Sequence, residues 1–90
     1  LCLNFGAKEA LVSLKLVTEL RKRGVMSDLY PSDVKIQKQF KYANNRKVPY
    51  VILLGAEELE NNSFVVKYME SGDQITYALS EVDKFVATLA

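Results

Sequence analysis

The sequence contains no histidine and no tryptophan, and only one of its 90 residues, Cys2, is a cysteine. Histidine is the commonest general base in enzymes and the commonest metal ligand in proteins. Its absence therefore removes the usual centre of a catalytic or metal site. A single cysteine excludes an internal disulfide, and its position in an apolar stretch predicts a buried side chain rather than a reactive thiol.

Several other functional signatures are also missing. The first apolar stretch is followed by a single glycine, Gly6, whereas a dinucleotide-binding loop needs three. No serine lies in a Gly-x-Ser-x-Gly turn, and no group of residues has metal-ligand spacing. No apolar stretch approaches the roughly 18 residues that span a bilayer, and the opening residues do not resemble a signal peptide. We therefore predict a cytoplasmic chain with no catalytic activity, cofactor, metal or membrane contact of its own.

The net charge of +1 conceals a strong asymmetry along the chain. Residues 1–50 hold ten Lys and Arg against four Asp and Glu, a net charge of +6. Residues 51–90 hold two against seven, a net charge of −5. The near-neutral total argues against a nonspecific nucleic-acid-binding protein, but it is compatible with a local basic surface.

Apolar periodicity and turn residues predict one α/β domain over residues 1–90. Strands are predicted at residues 1–5, 25–30, 50–54, 63–68 and 74–79, and helices at residues 7–23, 34–46 and 81–89. The first strand, helix and strand span about 30 residues, which predicts a parallel βαβ unit. The turn Ser71-Gly72-Asp73 predicts an antiparallel hairpin between the last two strands.

Helical periodicity also predicts which faces of the first two helices are buried. On the first helix we expect a buried apolar stripe of Ala10, Leu11, Leu14, Val17 and Leu20. On the second helix one face is predicted to be core and the other to be exposed. The core face contains Ile36, Phe40, Ala43 and the stem of Lys47, and the exposed face contains Lys38, Lys41, Tyr42 and Asn45.

Six segments, in this order, resemble the C-terminal anticodon-binding domain of class II aminoacyl-tRNA synthetases, and the histidyl family is the most similar. The clearest is Lys38-Gln39-Phe40-Lys41-Tyr42-Ala43-Asn44, which contains that family's Lys-Gln-x-x-Tyr-Ala pattern. The others are residues 19–25, 28–31, 48–52, 55–59 and 65–72. Residues 4–9 and 69–72 resemble a bacteroidete-type branch. The resemblance implies a three-layer α/β/α sandwich with a mixed five-stranded sheet of order 2-1-3-4-5 and one antiparallel strand.

The resemblance further implies that this chain is a fragment of a longer, dimeric synthetase. The catalytic part, with its ATP and Mg²⁺, has no counterpart here, and the abrupt start at Leu1 agrees with this; the fragment itself is compatible with a monomer. The sequence departs from the family at residues 44–48, where a glycine is common. We expect Asn45 to supply the positive φ there.

The expected partner is a tRNA anticodon stem-loop, not DNA, and six side chains are candidates to bind it: Tyr30, Lys38, Gln39, Tyr42, Glu58 and Lys67. Lys38 would neutralise a phosphate while Tyr42 stacks on an unstacked base. Gln39 would read a base edge or flank the core, and Tyr30 would lie at the ligand edge of the sheet or cover it. Glu58 would accept from a base amino group or remain a surface acid. The family places a cation at the position of Lys67 to contact the anticodon loop.

Two other interpretations of the sequence remain open. The chain could be the same module from a threonyl-, prolyl- or glycyl-tRNA synthetase, although the Lys-Gln-x-x-Tyr-Ala pattern argues against this. It could also be a protein-interaction or regulatory domain of a synthetase-like protein that reads no RNA. A receiver-like domain is disfavoured, because Leu54-Gly55 stands where a phospho-accepting aspartate is needed.

Overall fold

The computed structural model of the protein describes residues 1–32 and 34–89. In this part of the chain, the helices are α1 (Ala7–Lys22), α2 (Ile36–Asn45), α3 (Ala56–Glu60) and α4 (Val82–Ala87), and a 3₁₀ turn at Leu79–Glu81 precedes α4. The strands are β1 (Tyr50–Leu53), β2 (Ser63–Tyr68) and β3 (Gln74–Ala78). No helix within the described ranges is both long and apolar enough to cross a membrane.

The three strands form one antiparallel sheet in the order β1-β2-β3. Tyr50 of β1 lies opposite Tyr68, and Val65 of β2 lies opposite Thr76. The predicted hairpin between the last two strands is therefore confirmed. On the other side of β1, Cys2 forms isolated parallel bridges to Ile52 and to Leu29.

The predicted five-stranded sheet of order 2-1-3-4-5 is not confirmed, because residues 1–5 and 25–30 contribute single bridges instead of strands. Side chains take over the backbone bonds that would extend those ladders. The N–H of Asn4 donates to Gln39 Oε1 at 2.7 Å, and the Asn4 side chain donates to the Tyr30 carbonyl at 3.1 Å. At the other end of the second segment, Arg21 donates to the Ser27 carbonyl at 2.7 Å. The polar flanks of both segments therefore limit the parallel pairing.

The sheet separates two hydrophobic clusters. The larger cluster lies between the sheet and helices α1, α3 and α4, and it contains Leu20, Ile52, Phe64 and Phe85. The smaller cluster lies under α2 and is built on Leu3, Ala43 and Val51, with Phe5, Ile36 and Phe40 half-buried around it. Because side chains alternate along a strand, β2 directs Phe64 and Val66 to the larger cluster, while Lys67 lies on the α2 side.

The predicted apolar stripe of α1 is partly wrong. Val17 and Leu20 are buried, but Leu11 and Leu14 are 66% and 51% exposed. The buried positions of α1 are 13, 16, 17 and 20, which have helical spacing as good as that of the predicted set. Position 13 is a serine, and its small side chain packs in the core despite its polarity. Leu11 and Leu14 belong to the predicted stripe, but they lie on a side of α1 that does not face the sheet.

Helix α2 buries Ala43 and Gln39 completely, whereas Ile36 and Phe40 are half-buried. The predicted positive φ at Asn45 is wrong, because Asn45 is still helical and Lys47 has φ 54°. The N–H of Val48 donates to the Ala43 carbonyl at 3.1 Å, which closes the helix end around Lys47. Arg46, the C-cap residue of α2, still has helical backbone angles, so the exposed face of α2 continues from Asn45 to Arg46.

Candidate nucleic-acid interface

The outer surface of α2 and its flanks is rich in cations, and the nearest acid before it in the sequence, Asp33, lies outside the described residues. Residues 34–56 contain five cations and no Asp or Glu, and all five are exposed: Lys35, Lys38, Lys41, Arg46 and Lys47. The ion pairs between described residues all lie elsewhere, within residues 19–28 and 81–84. None of these five cations forms an ion pair with a described acid, so the α2 surface presents positive charge that attracts polyanions.

Tyr30, Tyr42 and Arg46 lie together on one side of α2. The rings of Tyr30 and Tyr42 meet edge to face, with centroids 5.2 Å apart and planes at 80°. The Cζ atom of Arg46 lies 5.7 Å from the centroid of the Tyr42 ring. These side chains line a cleft of about 210 Å³ between α2 and the segment of residues 26–31. Tyr42 remains 40% exposed, so its ring is accessible to a ligand.

Lys67 lies on the opposite side of α2. Its ammonium nitrogen is 4.9 Å from the centroid of the Phe40 ring, a cation–π contact. Both side chains line a second cleft, of about 490 Å³, between α2 and the β2–β3 hairpin, together with Gln37, Lys41 and Asn44. The structure therefore does not bring Lys67 together with Tyr30 and Tyr42. Lys38, one helical turn before Tyr42, is exposed on the helix between the two clefts.

Gln39 does not face solvent, so the structure does not fit the predicted contact between this side chain and a base. It is completely buried. Its Oε1 accepts from the N–H of Asn4, and its amide nitrogen donates to the carbonyls of Asn4 at 2.8 Å and Val34 at 2.9 Å. Both amide donors are thus used inside the protein. The side chain instead fixes the first turn of α2 to the loop that precedes α1.

Glu58 is half-buried and has a local structural role. Its Oε1 accepts from the backbone N–H of Gly55 at 3.0 Å, which caps the start of α3. It lines neither of the two clefts beside α2. Its other carboxylate oxygen accepts no hydrogen bond from a described residue, but the geometry gives no support for grouping Glu58 with Lys38 and Tyr42.

Cys2 behaves as the sequence predicts for a buried small side chain. It is fully buried next to β1, and burial raises the pKa of the Cys2 thiol to about 11. The thiol is therefore neutral at physiological pH and is a poor nucleophile. Within residues 1–32 and 34–89, no group of three or more Cys, Asp or Glu side chains could hold a metal ion.

Sequence reasoning missed two side chains of the Tyr42 cleft, Asp28 and Arg46. Arg46 could have been found, because it lies four residues after Tyr42 and so shares its face of α2. Asp28 had no such signal. It reaches the cleft only because Cys2 bridges to the neighbouring Leu29 and so places this segment beside α2.

Comparison with known proteins identifies the class of domain. The family described as "Anticodon binding domain" matches residues 2–89. Because that match covers nearly the whole sequence, the chain belongs to this family of anticodon-binding domains.

Its relatives include histidine–tRNA ligases. The ligase of Christiangramia forsetii is 47% identical over 74 residues, which are 82% of this chain and 16% of that protein. The solved structure of apo histidyl-tRNA synthetase from S. aureus superposes with a TM-score of 0.83 at 30% identity, over 93% of this chain and 22% of that one. This chain thus spans about a sixth of the length of the curated relative.

The fold alone does not separate the histidyl family from its neighbours. The RNA-binding domain of threonyl-tRNA synthetase from Cryptosporidium parvum superposes with a TM-score of 0.85, over 96% of this chain and 22% of that one. Its identity is only 18%, so this likeness concerns the fold. The sequence relationship to the ligase from Christiangramia forsetii distinguishes the histidyl group.

Proposed function

We propose that this chain is the anticodon-binding domain of a histidine–tRNA ligase and that it binds the anticodon stem-loop of histidine tRNA through α2. The observation that carries this proposal is the exposed surface of α2, where cations that form no ion pair with a described residue surround an accessible tyrosine. The names of the relatives support the choice of histidine. RNA rather than DNA is the expected partner, because the loop of a tRNA presents unstacked bases to aromatic side chains.

The two clefts beside α2 suggest how the loop is held. Lys38 and Lys41 neutralise phosphates along the helix, and Tyr42, supported by Tyr30, stacks on one base for roughly 1–3 kcal/mol. Lys67 contributes a further cation in the cleft on the other side of α2. Because the net charge of the chain is only +1, the affinity of this domain alone is expected to be weak. Linkage to a catalytic domain that binds the same tRNA would raise it through effective concentration.

The remaining parts of the proposal concern the whole ligase. Residues 1–90 form its anticodon-binding domain, while the ATP- and Mg²⁺-dependent charging of tRNA with histidine occurs in another part of a cytoplasmic homodimer.

We also propose that the two bridges of Cys2 represent the parallel half of a five-stranded sheet of order 2-1-3-4-5. The support is that segment 25–30, segment 1–5 and β1 already lie in that order.

The test is a titration of this chain with a fluorescently labelled histidine anticodon stem-loop at low salt, beside a stem-loop with a scrambled anticodon. We expect preferential binding to the first, and a loss of about tenfold in Lys38→Glu and Tyr42→Ala. Lys15→Glu, the same charge change on the exposed side of α1, should leave the affinity nearly unchanged. Equal or absent binding of both stem-loops to the folded chain would contradict the proposal.

A further inference from the structure

We infer that the cleft beside Tyr42 is a slot for a single guanine of the bound RNA, in which Asp28 and Arg46 contact two different edges of the base. This inference rests on the proposed function and goes beyond it, because it names the base and assigns two side chains that carried no functional role in the sequence. It depends on the charges, the walls and the size of the cleft.

The charges are the first observation. Asp28 and Arg46 carry opposite charges and line the same cleft, yet no nitrogen of Arg46 lies within 4.0 Å of an Asp28 oxygen. Arg46 instead lies against the ring of Tyr42. The lining of the cleft therefore includes both an acceptor carboxylate and a fork of guanidinium donors that are not paired with each other. A neutral planar ligand that carries donors on one edge and acceptors on another fits this arrangement.

The walls and the size of the cleft select a nucleobase among such ligands. Tyr30 and Tyr42 provide aromatic surface beside the charged pair, and bases stack on such surfaces in RNA-binding proteins. The volume of about 210 Å³ lies below the roughly 300–1,000 Å³ of pockets for drug-sized ligands. The cleft thus suits one base better than a whole nucleotide cofactor.

Guanine has the matching pattern of donors and acceptors. Its Watson–Crick edge carries two adjacent donors, N1–H and the 2-amino group, and its other edge carries two adjacent acceptors, O6 and N7. A carboxylate can accept from both donors, and the guanidinium fork can donate to both acceptors. Adenine, cytosine and uracil lack two adjacent donors, so each would leave part of the Asp28 carboxylate unpaired.

The Asp28 carboxylate is available for this contact although Arg21 already binds it. Arg21 pairs with Oδ1 only, and the Asp28 side chain is 79% exposed. A carboxylate has about four lone-pair positions, so Oδ2 and part of Oδ1 remain free. Arg21 also donates to the Ser27 carbonyl. It thereby holds the carboxylate in place beside the cleft and leaves Oδ2 available.

The experiment is a pair of double-mutant cycles between the protein and the stem-loop. In the first, each guanine of the histidine anticodon loop is replaced in turn by inosine, which lacks the 2-amino group, and is tested against Asp28→Asn. In the second, 7-deazaguanine, which lacks N7, is tested against Arg46→Gln. The dissociation constant of the labelled stem-loop is measured for every combination. Asp73→Asn and Lys15→Gln are the matched controls, because both are exposed, lie outside the cleft and are not part of the α2 surface.

At one loop guanine, we expect each single change to weaken binding by about five- to tenfold and each double change to weaken it no further. Fully additive losses at every guanine, or equal losses in the two control variants, would overturn the guanine slot while leaving the proposed function intact. The base substitutions in the unmodified protein keep this test independent of any folding defect. If the unmodified chain bound neither stem-loop, the proposed function would fail, and the guanine slot with it.

Discussion

The sheet face that packs against α1, α3 and α4 and the face that packs against α2 differ in both their cores and their surface charges. The first has a large cluster with three closely packed rings, Phe64, Tyr77 and Phe85. The second has a small cluster centred on Leu3, Ala43 and Val51 and closed by a buried amide side chain.

Surface charges follow the same division. Arg23, the C-cap residue of α1, pairs with Glu19 and with Asp83 at the start of α4, so part of the positive charge on the first face is neutralised. These contacts hold the pKa of Glu19 below its usual range, chiefly through the Arg23 hydrogen bond. The cations of α2 have no such partners among the described residues. The face that packs against α1, α3 and α4 has the larger core and paired charges, whereas the face that packs against α2 has a smaller core and displays positive charge.

The largest expected effect tests whether the larger hydrophobic cluster contributes more to the stability of the fold than the smaller cluster under α2. Phe64→Ala removes a completely buried ring and should lower the free energy of unfolding by about 3–5 kcal/mol, nearly the roughly 5 kcal/mol available to a small domain. Phe40→Ala, at a half-buried ring under α2, should cost less than half of that. Urea denaturation measures both. Equal losses would show that the two faces contribute equally to stability.

The next effect concerns the amide that closes the smaller cluster. Gln39→Leu leaves the N–H and carbonyl of Asn4 and the carbonyl of Val34 without their partner. We expect a loss of about 3 kcal/mol in the free energy of unfolding, measured by urea denaturation, whereas Gln37→Leu on the exposed side of α2 should cost little. Unchanged stability together with lost RNA binding would instead restore Gln39 as a base-reading residue.

Alkaline pH should lower the free energy of unfolding through Cys2, which lies in the larger hydrophobic cluster. Because the folded-state pKa of about 11 is higher than that of a free thiol, the folded protein binds the proton more tightly. This contribution to the free energy of unfolding is complete below about pH 8.5 and is lost as the pH rises towards 11, by about 3 kcal/mol in total. Urea denaturation at several pH values measures the slope. Cys2→Ala should flatten it, and an unchanged slope in that variant would assign the effect to other groups.

The smallest effect is expected for charge reversal on α2. Lys38→Glu should change the free energy of unfolding by less than about 0.5 kcal/mol, because Lys38 is exposed and forms no ion pair with a described residue. Arg23→Glu, which reverses a charge paired with two acids, should lower it more. Thermal unfolding of both variants provides the comparison. A larger loss of unfolding free energy for Lys38→Glu than for Arg23→Glu would mean that the charges of the α2 surface also stabilise the fold.

The candidate site was predictable only where local spacing placed it. Tyr42 and Lys38 follow from helical periodicity, and Arg46 would have followed in the same way. Gln39 lies next to Lys38 in the sequence, yet it faces the core. The sequence left open whether Gln39 reads a base or flanks the core. Its donors and acceptor are matched by the backbone of Val34 and of Asn4, which is distant in the sequence.

By itself, the sequence determined helices α1, α2 and α4, the antiparallel hairpin and the basic surface of α2, because each depends on residues close together in the chain. Only the tertiary structure decided which stripe of α1 is buried, how far the parallel bridges extend, and which side chains line the cleft beside Tyr42. Those outcomes depend on contacts between distant segments, such as Cys2 with Leu29 and Asn4 with Gln39. Local periodicity cannot encode such contacts, since several registers satisfy it equally well.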